Sequence, residues 1–126
     1  MSVFKVDLTA INPLDENKRT PAMKVMVDTG ALHSWLPRQL LLDAGITPER
    51  KKRFAMANKQ IIERDIGYAI LTAEGFEAID QVVFAESGDM SLLGVTTIEG
   101  FNVMVDNVGQ RFVAIPAAPV PANVAV

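Results

Sequence analysis

With 126 residues, 49% of them hydrophobic, the chain carries enough apolar material for one modest core and reads as a single domain. Twelve basic against 15 acidic residues leave a formal charge of -3, scattered in mixed sign, so nothing electrostatic points to nucleic acid or a membrane surface as partner. Cysteine is absent and histidine occurs once, which excludes disulfides, a thiolate nucleophile and a Cys/His zinc site and leaves oxygen to carry any chemistry.

The N-terminal MSVFKVDLTA lacks an apolar run of signal-peptide length, and no stretch approaches the roughly 20 apolar residues that span a bilayer. A soluble, cytoplasmic protein is the expectation, with no metal or cofactor. Val3 to Ile11 alternates loosely as a strand, NPLDENKRTP has the turn residues and charges of an exposed loop, and Ala22 to Val27 returns as a second strand, so the two form a long hairpin. After Asp28-Thr29-Gly30 comes a short apolar piece, Ser34 to Leu36, with Trp35 and Leu36 assigned to the core. PRQLLLDAG then predicts a helix, Pro37 at its first position and Gly45 as its stop.

Three antiparallel strands follow, over Arg53 to Ala57, Gln60 to Thr72 and Phe76 to Ala85, with turns at Asn58-Lys59 and Glu74-Gly75. In SLLGVTTIEGF, Thr96 and Glu99 have the spacing of a capping box, and Gly100 closes a second short helix. Val103 to Val105 and Arg111 to Ile115 flank DNVGQ as a last hairpin. Residues 1–116 thus form the domain, and 117–126, AAPVPANVAV without the preceding proline's strand, read as a flexible Ala/Pro/Val-rich tail with too little bulk for a core.

Many binding modules share an all-β design with short helices, so function has to come from a site. The candidate is VMVDTGA, in which a buried strand runs straight into a carboxylate, a hydroxyl and a glycine. An isolated Asp-Thr-Gly is equally a plain turn. Here, however, Val25-Met26-Val27 before the triplet and Ala31 after it resemble the first signature of the aspartic peptidases, and Leu92-Leu93-Gly94 before the second helix resembles their apolar-apolar-Gly second signature. The stretch RFAMANKQIIERDIGYAILTAEGF between them looks like the flap hairpin and following strands of bacterial and archaeal proteins similar to the retroviral proteases. The resemblance spans residues 3 to 115 and is to the retropepsin-like, single-domain aspartic peptidases.

That resemblance implies a closed, barrel-like all-β acid-protease fold of antiparallel strands, with a flap hairpin over Arg53 to Arg64 and one or two short helices. It implies Asp28 as the catalytic residue, supported by Thr29, Gly30, Leu92, Leu93 and Gly94, and substrate contacts from Ala31, His33 and the flap tip Met56-Ala57-Asn58-Lys59. Hydrolysis by carboxylates alone needs two of them, one to take a proton from water and one to give a proton to the scissile carbonyl. Aspartic-protease pairs are known to titrate as a coupled unit for this reason. Asp7, Asp43, Asp65, Asp80, Asp89 and Asp106 lack the signature's flanks, so the second carboxylate is expected from another copy across a two-fold axis.

In such a dimer Thr29 would bond the partner's backbone, and Gly30 would let an N–H reach the carboxylate. Two features depart from the retroviral pattern: the tip carries Asn58 and Lys59 rather than glycines, and Val95 stands where an arginine commonly braces the dimer. The hairpin Val103 to Ile115 has the position of the retroviral dimer strands, an open edge suited to pairing. The expectation is therefore a homodimeric endopeptidase acting on extended polypeptides; the alternative is a non-catalytic dimeric β-barrel that binds a peptide or partner.

Overall fold

Val6, Leu8 and Ala10 are buried while Lys5 and Asp7 are exposed, the period of two that lays a strand along one wall of a core. In the computed structural model, which describes residues 4–117 and 120–123, this strand is β1 (Lys5–Ile11). It pairs antiparallel with β2 (Met23–Val27), Val6 opposite Val25, as the alternation predicts. The loop between them is pinned where the Ala10 N–H donates to the buried Thr20 hydroxyl at 3.0 Å.

The chain continues through β3 (Ser34–Pro37), α1 (Arg38–Asp43), β4 (Arg50–Ala55), β5 (Ile61–Ala73), β6 (Phe76–Ala85), β7 (Leu92–Leu93), α2 (Val95–Gly100), β8 (Val103–Asp106) and β9 (Arg111–Ala114). Strands β1, β2, β7, β3, β6 and β5 are neighbours in that order, and β5 pairs back onto β1, Leu8 opposite Ala73, so the sheet closes into a ring. β4 hangs on the outer half of β5, and the two make the expected hairpin. The strands pair mostly antiparallel, as the all-β expectation has it, with two parallel pairs besides: β2 with β7 and β3 with β6. Parallel neighbours need long connections, and here α1 with the β4–β5 hairpin, and the whole β3–β6 segment, supply them.

Leu8, Leu36, Leu71, Val82, Phe84 and Leu93 are fully buried inside the ring. Helix α1 ends as Gly45 and Ile46 donate back to Leu42 and Leu41 with Gly45 at φ +73°, a paired C-terminal cap that satisfies the last carbonyls. Pro37 is the last residue of β3 and the N-cap of α1, one place before its expected position. The capping box of α2 does not form: the helix starts at Val95, and the Thr96 hydroxyl is engaged by Leu32 and Asp80 instead of a helix N–H. Gly100 is the last helical residue, and the turn to positive φ falls on Asn102, at +58°. β4 starts three residues earlier than the pattern of Arg53 to Ala57 indicates and stops at Ala55.

The last hairpin is a separate two-stranded sheet, β8 with β9. It docks on the ring through Phe112, which meets Phe4, Phe76 and Phe101 at centroid distances of 5.9–6.2 Å. Met104 and Val113 pair on its other face, both exposed. Val3, where the first strand was expected to begin, and much of the tail (118–119 and 124–126) lie outside the described residues. Among the described residues, no helix is long and apolar enough to cross a membrane.

Candidate active site

Asp28 follows the last residue of β2, and its backbone is fixed from two sides. Its N–H donates to the Leu93 carbonyl at 3.0 Å, and its carbonyl accepts the Ala31 N–H at 3.1 Å. The side chain is half-buried, with Oδ1 accepting the Gly30 N–H at 2.9 Å. A β-carbon at position 30 would stand 3.2 Å from that oxygen, tighter than side chains ordinarily pack. Thr29 is exposed and makes no side-chain hydrogen bond among the described residues.

The two expected signatures meet face to face. β7 lies between β2 and β3, with Leu93 beside Val27 and Leu92 beside Trp35. Gly94 then passes so close to the loop after Asp28 that an added β-carbon would sit 2.4 Å from both the carbonyl carbon and oxygen of His33. This approach lets α2 donate into the loop, Val95 N–H to the Ala31 carbonyl at 2.8 Å and Thr96 N–H to the Leu32 carbonyl at 3.2 Å. Leu93 is buried beneath, and Leu92 is half-buried.

Behind the loop runs a chain of hydrogen bonds that the sequence reading missed. The Gly94 N–H donates to Ser34 Oγ at 3.0 Å, Ser34 to Thr97 Oγ1 at 2.7 Å, and Thr97 to Asp80 Oδ2 at 2.8 Å. The direction follows because a carboxylate only accepts. Thr96 Oγ1 is 2.7 Å from the same carboxylate oxygen and 3.0 Å from the Leu32 carbonyl. Ser34 and Thr97 are fully buried, so the chain satisfies groups that would be costly to leave alone. An inward hydroxyl at Ser34, opposite in pattern to Trp35, was the available signal.

An apolar cavity of about 370 Å³ opens between the flap and the ring, lined among others by Trp35, Phe54, Met56, Ala57, Ile62 and Met90. Trp35 is therefore corrected from core residue to cavity wall, packed at a tilt against Phe54 with ring centroids 4.9 Å apart, whereas Leu36 is fully buried as expected. Strand alternation sends the two neighbours to opposite faces. Of the flap tip, Met56 and Ala57 line this cavity, while Asn58 and Lys59 form an exposed turn beyond it, Asn58 Oδ1 accepting the Gln60 N–H and Lys59 at φ +68°.

His33 sits at the end of the loop with its ring edge on Phe54, 6.0 Å between centroids, and Nε2 2.8 Å from Lys52 Nζ. Burial foremost, then the Lys52 charge, hold its pKa below the usual imidazole value, with Asp80 pulling weakly the other way. Arg64 clamps Asp89, itself on the cavity wall, through two hydrogen bonds of 2.7 and 3.0 Å, tying β5 to the turn before β7. Asp65 is held by Arg38 and Lys51.

A search of curated proteins finds no match to the chain. A family model described as aspartyl protease matches residues 15–97, well over half of the chain and a span holding both signatures, the flap and the cavity. The chain belongs to the aspartyl proteases, and its retropepsin-like resemblance is that of its family.

Proposed function

We propose that the chain is a homodimeric endopeptidase that hydrolyses peptide bonds in extended polypeptides with water activated between Asp28 and the Asp28 of a second copy. The observation that carries this reading is the loop geometry: one carboxylate per chain, aimed by the Gly30 N–H, on a backbone held by β7 and α2. The unbonded Thr29 hydroxyl beside it and the exposed Met104–Val113 pair on an open-edged sheet supply surfaces for self-association.

In the dimer the two carboxyls share one proton. The ionised one takes a proton from water as the oxygen attacks the carbonyl carbon, while the other donates to the carbonyl oxygen; return of a proton to the amide nitrogen then breaks the C–N bond. Ala31 and the carbonyls of the loop border the substrate, and the β4–β5 hairpin closes over it, Met56 and Ala57 reaching the peptide and Asn58 and Lys59 capping the flap. The apolar cavity receives an apolar side chain next to the scissile bond. Residues 1–116 constitute the catalytic unit, 117–126 a tail, and the site of action is the cytoplasm.

The test is cleavage of a peptide library by the wild-type protein and by Asp28→Asn, with solution mass measured alongside. Wild-type activity should coincide with a dimer, Asp28→Asn should be inert, and excess Asp28→Asn should suppress the wild type by forming mixed dimers with one carboxylate. Cleavage that survives Asp28→Asn, or an active monomer, refutes the dyad. Peptide binding without cleavage would instead favour the non-catalytic binding module.

A further inference from the structure

The flap strand β4 reads Arg50-Lys51-Lys52-Arg53, and alternation puts Lys52 on the same face as Phe54. That face looks into the cleft, since Phe54 lines the apolar cavity, packs at a tilt against Trp35 and meets the edge of His33. The Lys52 ammonium lies 5.9 Å from the Phe54 ring centre and 2.8 Å from His33 Nε2. Its neighbour Lys51, on the other face, is paired with Asp65 at 3.1 Å, whereas Lys52 has no carboxylate within ion-pair distance among the described residues. The acidic group nearest in effect, Asp80, is committed elsewhere: Oδ2 to Thr96 and Thr97, Oδ1 to the Gln81 N–H.

An ammonium can only donate, so His33 Nε2 accepts and the ring proton sits on Nδ1. The cleft rim therefore holds a cation whose charge is left unbalanced, beside a neutral imidazole and next to the Phe54 ring that lines the apolar cavity. A peptide lying extended under the flap passes both. An apolar residue fills the cavity; the complement to the rim is a carboxylate.

We infer that Lys52 and His33 form a cationic subsite that selects an acidic side chain of the substrate at a position flanking the one that fills the apolar cavity. The inference rests on the proposed peptidase reading for its substrate. A charge-assisted contact at a half-exposed rim supports a preference of about three- to tenfold for Glu over Gln, weakening as salt rises.

The experiment compares peptides differing only in Glu, Gln or Lys at each position around one apolar residue, scored by kcat/KM for the wild type and Lys52→Glu, and by calorimetric binding to Asp28→Asn and to Asp28→Asn/Lys52→Glu. The expected result is a Glu preference at one position that Lys52→Glu turns into a Lys preference. Equal rates for Glu and Gln, or a preference unchanged by Lys52→Glu, overturn the subsite and leave the peptidase reading standing. Binding that prefers Glu through Lys52 without any cleavage supports the subsite and removes the peptidase reading. Neither cleavage nor binding overturns both.

Discussion

Gly94→Ala tests whether the two signature segments are pressed together as described. The new β-carbon would meet the His33 carbonyl carbon and oxygen at 2.4 Å and its nitrogen at 3.0 Å, all of it backbone that no rotamer can move aside. Reaching ordinary contact requires one segment to retreat by about 1 Å, which also loosens the Gly94–Ser34, Val95–Ala31 and Thr96–Leu32 bonds of 3.0, 2.8 and 3.2 Å. Overpacking strain of about 1–3 kcal/mol, with one or two weakened hydrogen bonds at about 1 kcal/mol each, gives a cost of roughly 2–5 kcal/mol. For a chain of this size that is a fall in Tm of roughly 8–20 °C. Gly75→Ala is the comparison: at φ +83° with nothing within 4 Å, it pays only the left-handed penalty of about 1–2 kcal/mol. Thermal and urea melts of the two variants decide. If Gly94→Ala melts no lower than Gly75→Ala, the close crossing is wrong, and with it the argument that β7 positions Asp28. Whatever Gly94→Ala remains folded should lose about a hundredfold in kcat/KM, since the loop bearing Asp28 is displaced by that retreat.

Ser34→Ala should lower the urea unfolding free energy by about 1–3 kcal/mol with the m-value unchanged, because it strands the Gly94 N–H and takes away the hydroxyl that donates to Thr97, leaving only the Thr97–Asp80 bond; a shift below about 0.5 kcal/mol would contradict the network. Arg64, chiefly by its hydrogen bonds, holds the Asp89 carboxyl below its ordinary value. A depressed folded-state pKa stabilises above the unfolded value near 4 and loses that stabilisation as pH falls through the folded value. Asp89→Asn should accordingly be less stable than wild type at pH 7 and converge with it below pH 4, by urea titration at each pH; a gap that persists in acid contradicts the pair. The His33 ring should titrate below its usual midpoint of about 6.5 in NMR, and Lys52→Gln should raise that midpoint by removing one of the two causes while burial remains; an unmoved midpoint would separate Lys52 from the ring.

The hairpins were legible because each is a local code. β1 with β2, β5 with β6 and β8 with β9 are extended segments joined by polar loops, long between β1 and β2 and short in the other two, and Glu74-Gly75 supplies the two positive φ values of a tight turn. The candidate site was legible at Asp28 and Gly94 because their flanks match a known pair of signatures. Trp35 was misread, although the alternation of Ser34 and Leu36 inward already implied it pointed out. The Thr96–Glu99 spacing misled for a different reason: a hydroxyl goes to its best acceptor, and Asp80, far along the chain, outcompeted the helix N–H.

Sequence by itself therefore settled what short-range patterning encodes: which segments extend, where they turn, and that a carboxylate ends a buried strand. Tertiary structure decided what depends on segments distant in the chain. β7 is two residues long, too short to carry a pattern, yet it pairs with both β2 and β3 and holds the Asp28 loop. Its place is determined by closure of the ring, by the absence of a β-carbon at Gly94, and by buried hydroxyls that must find partners, and none of these is a property of neighbouring residues alone.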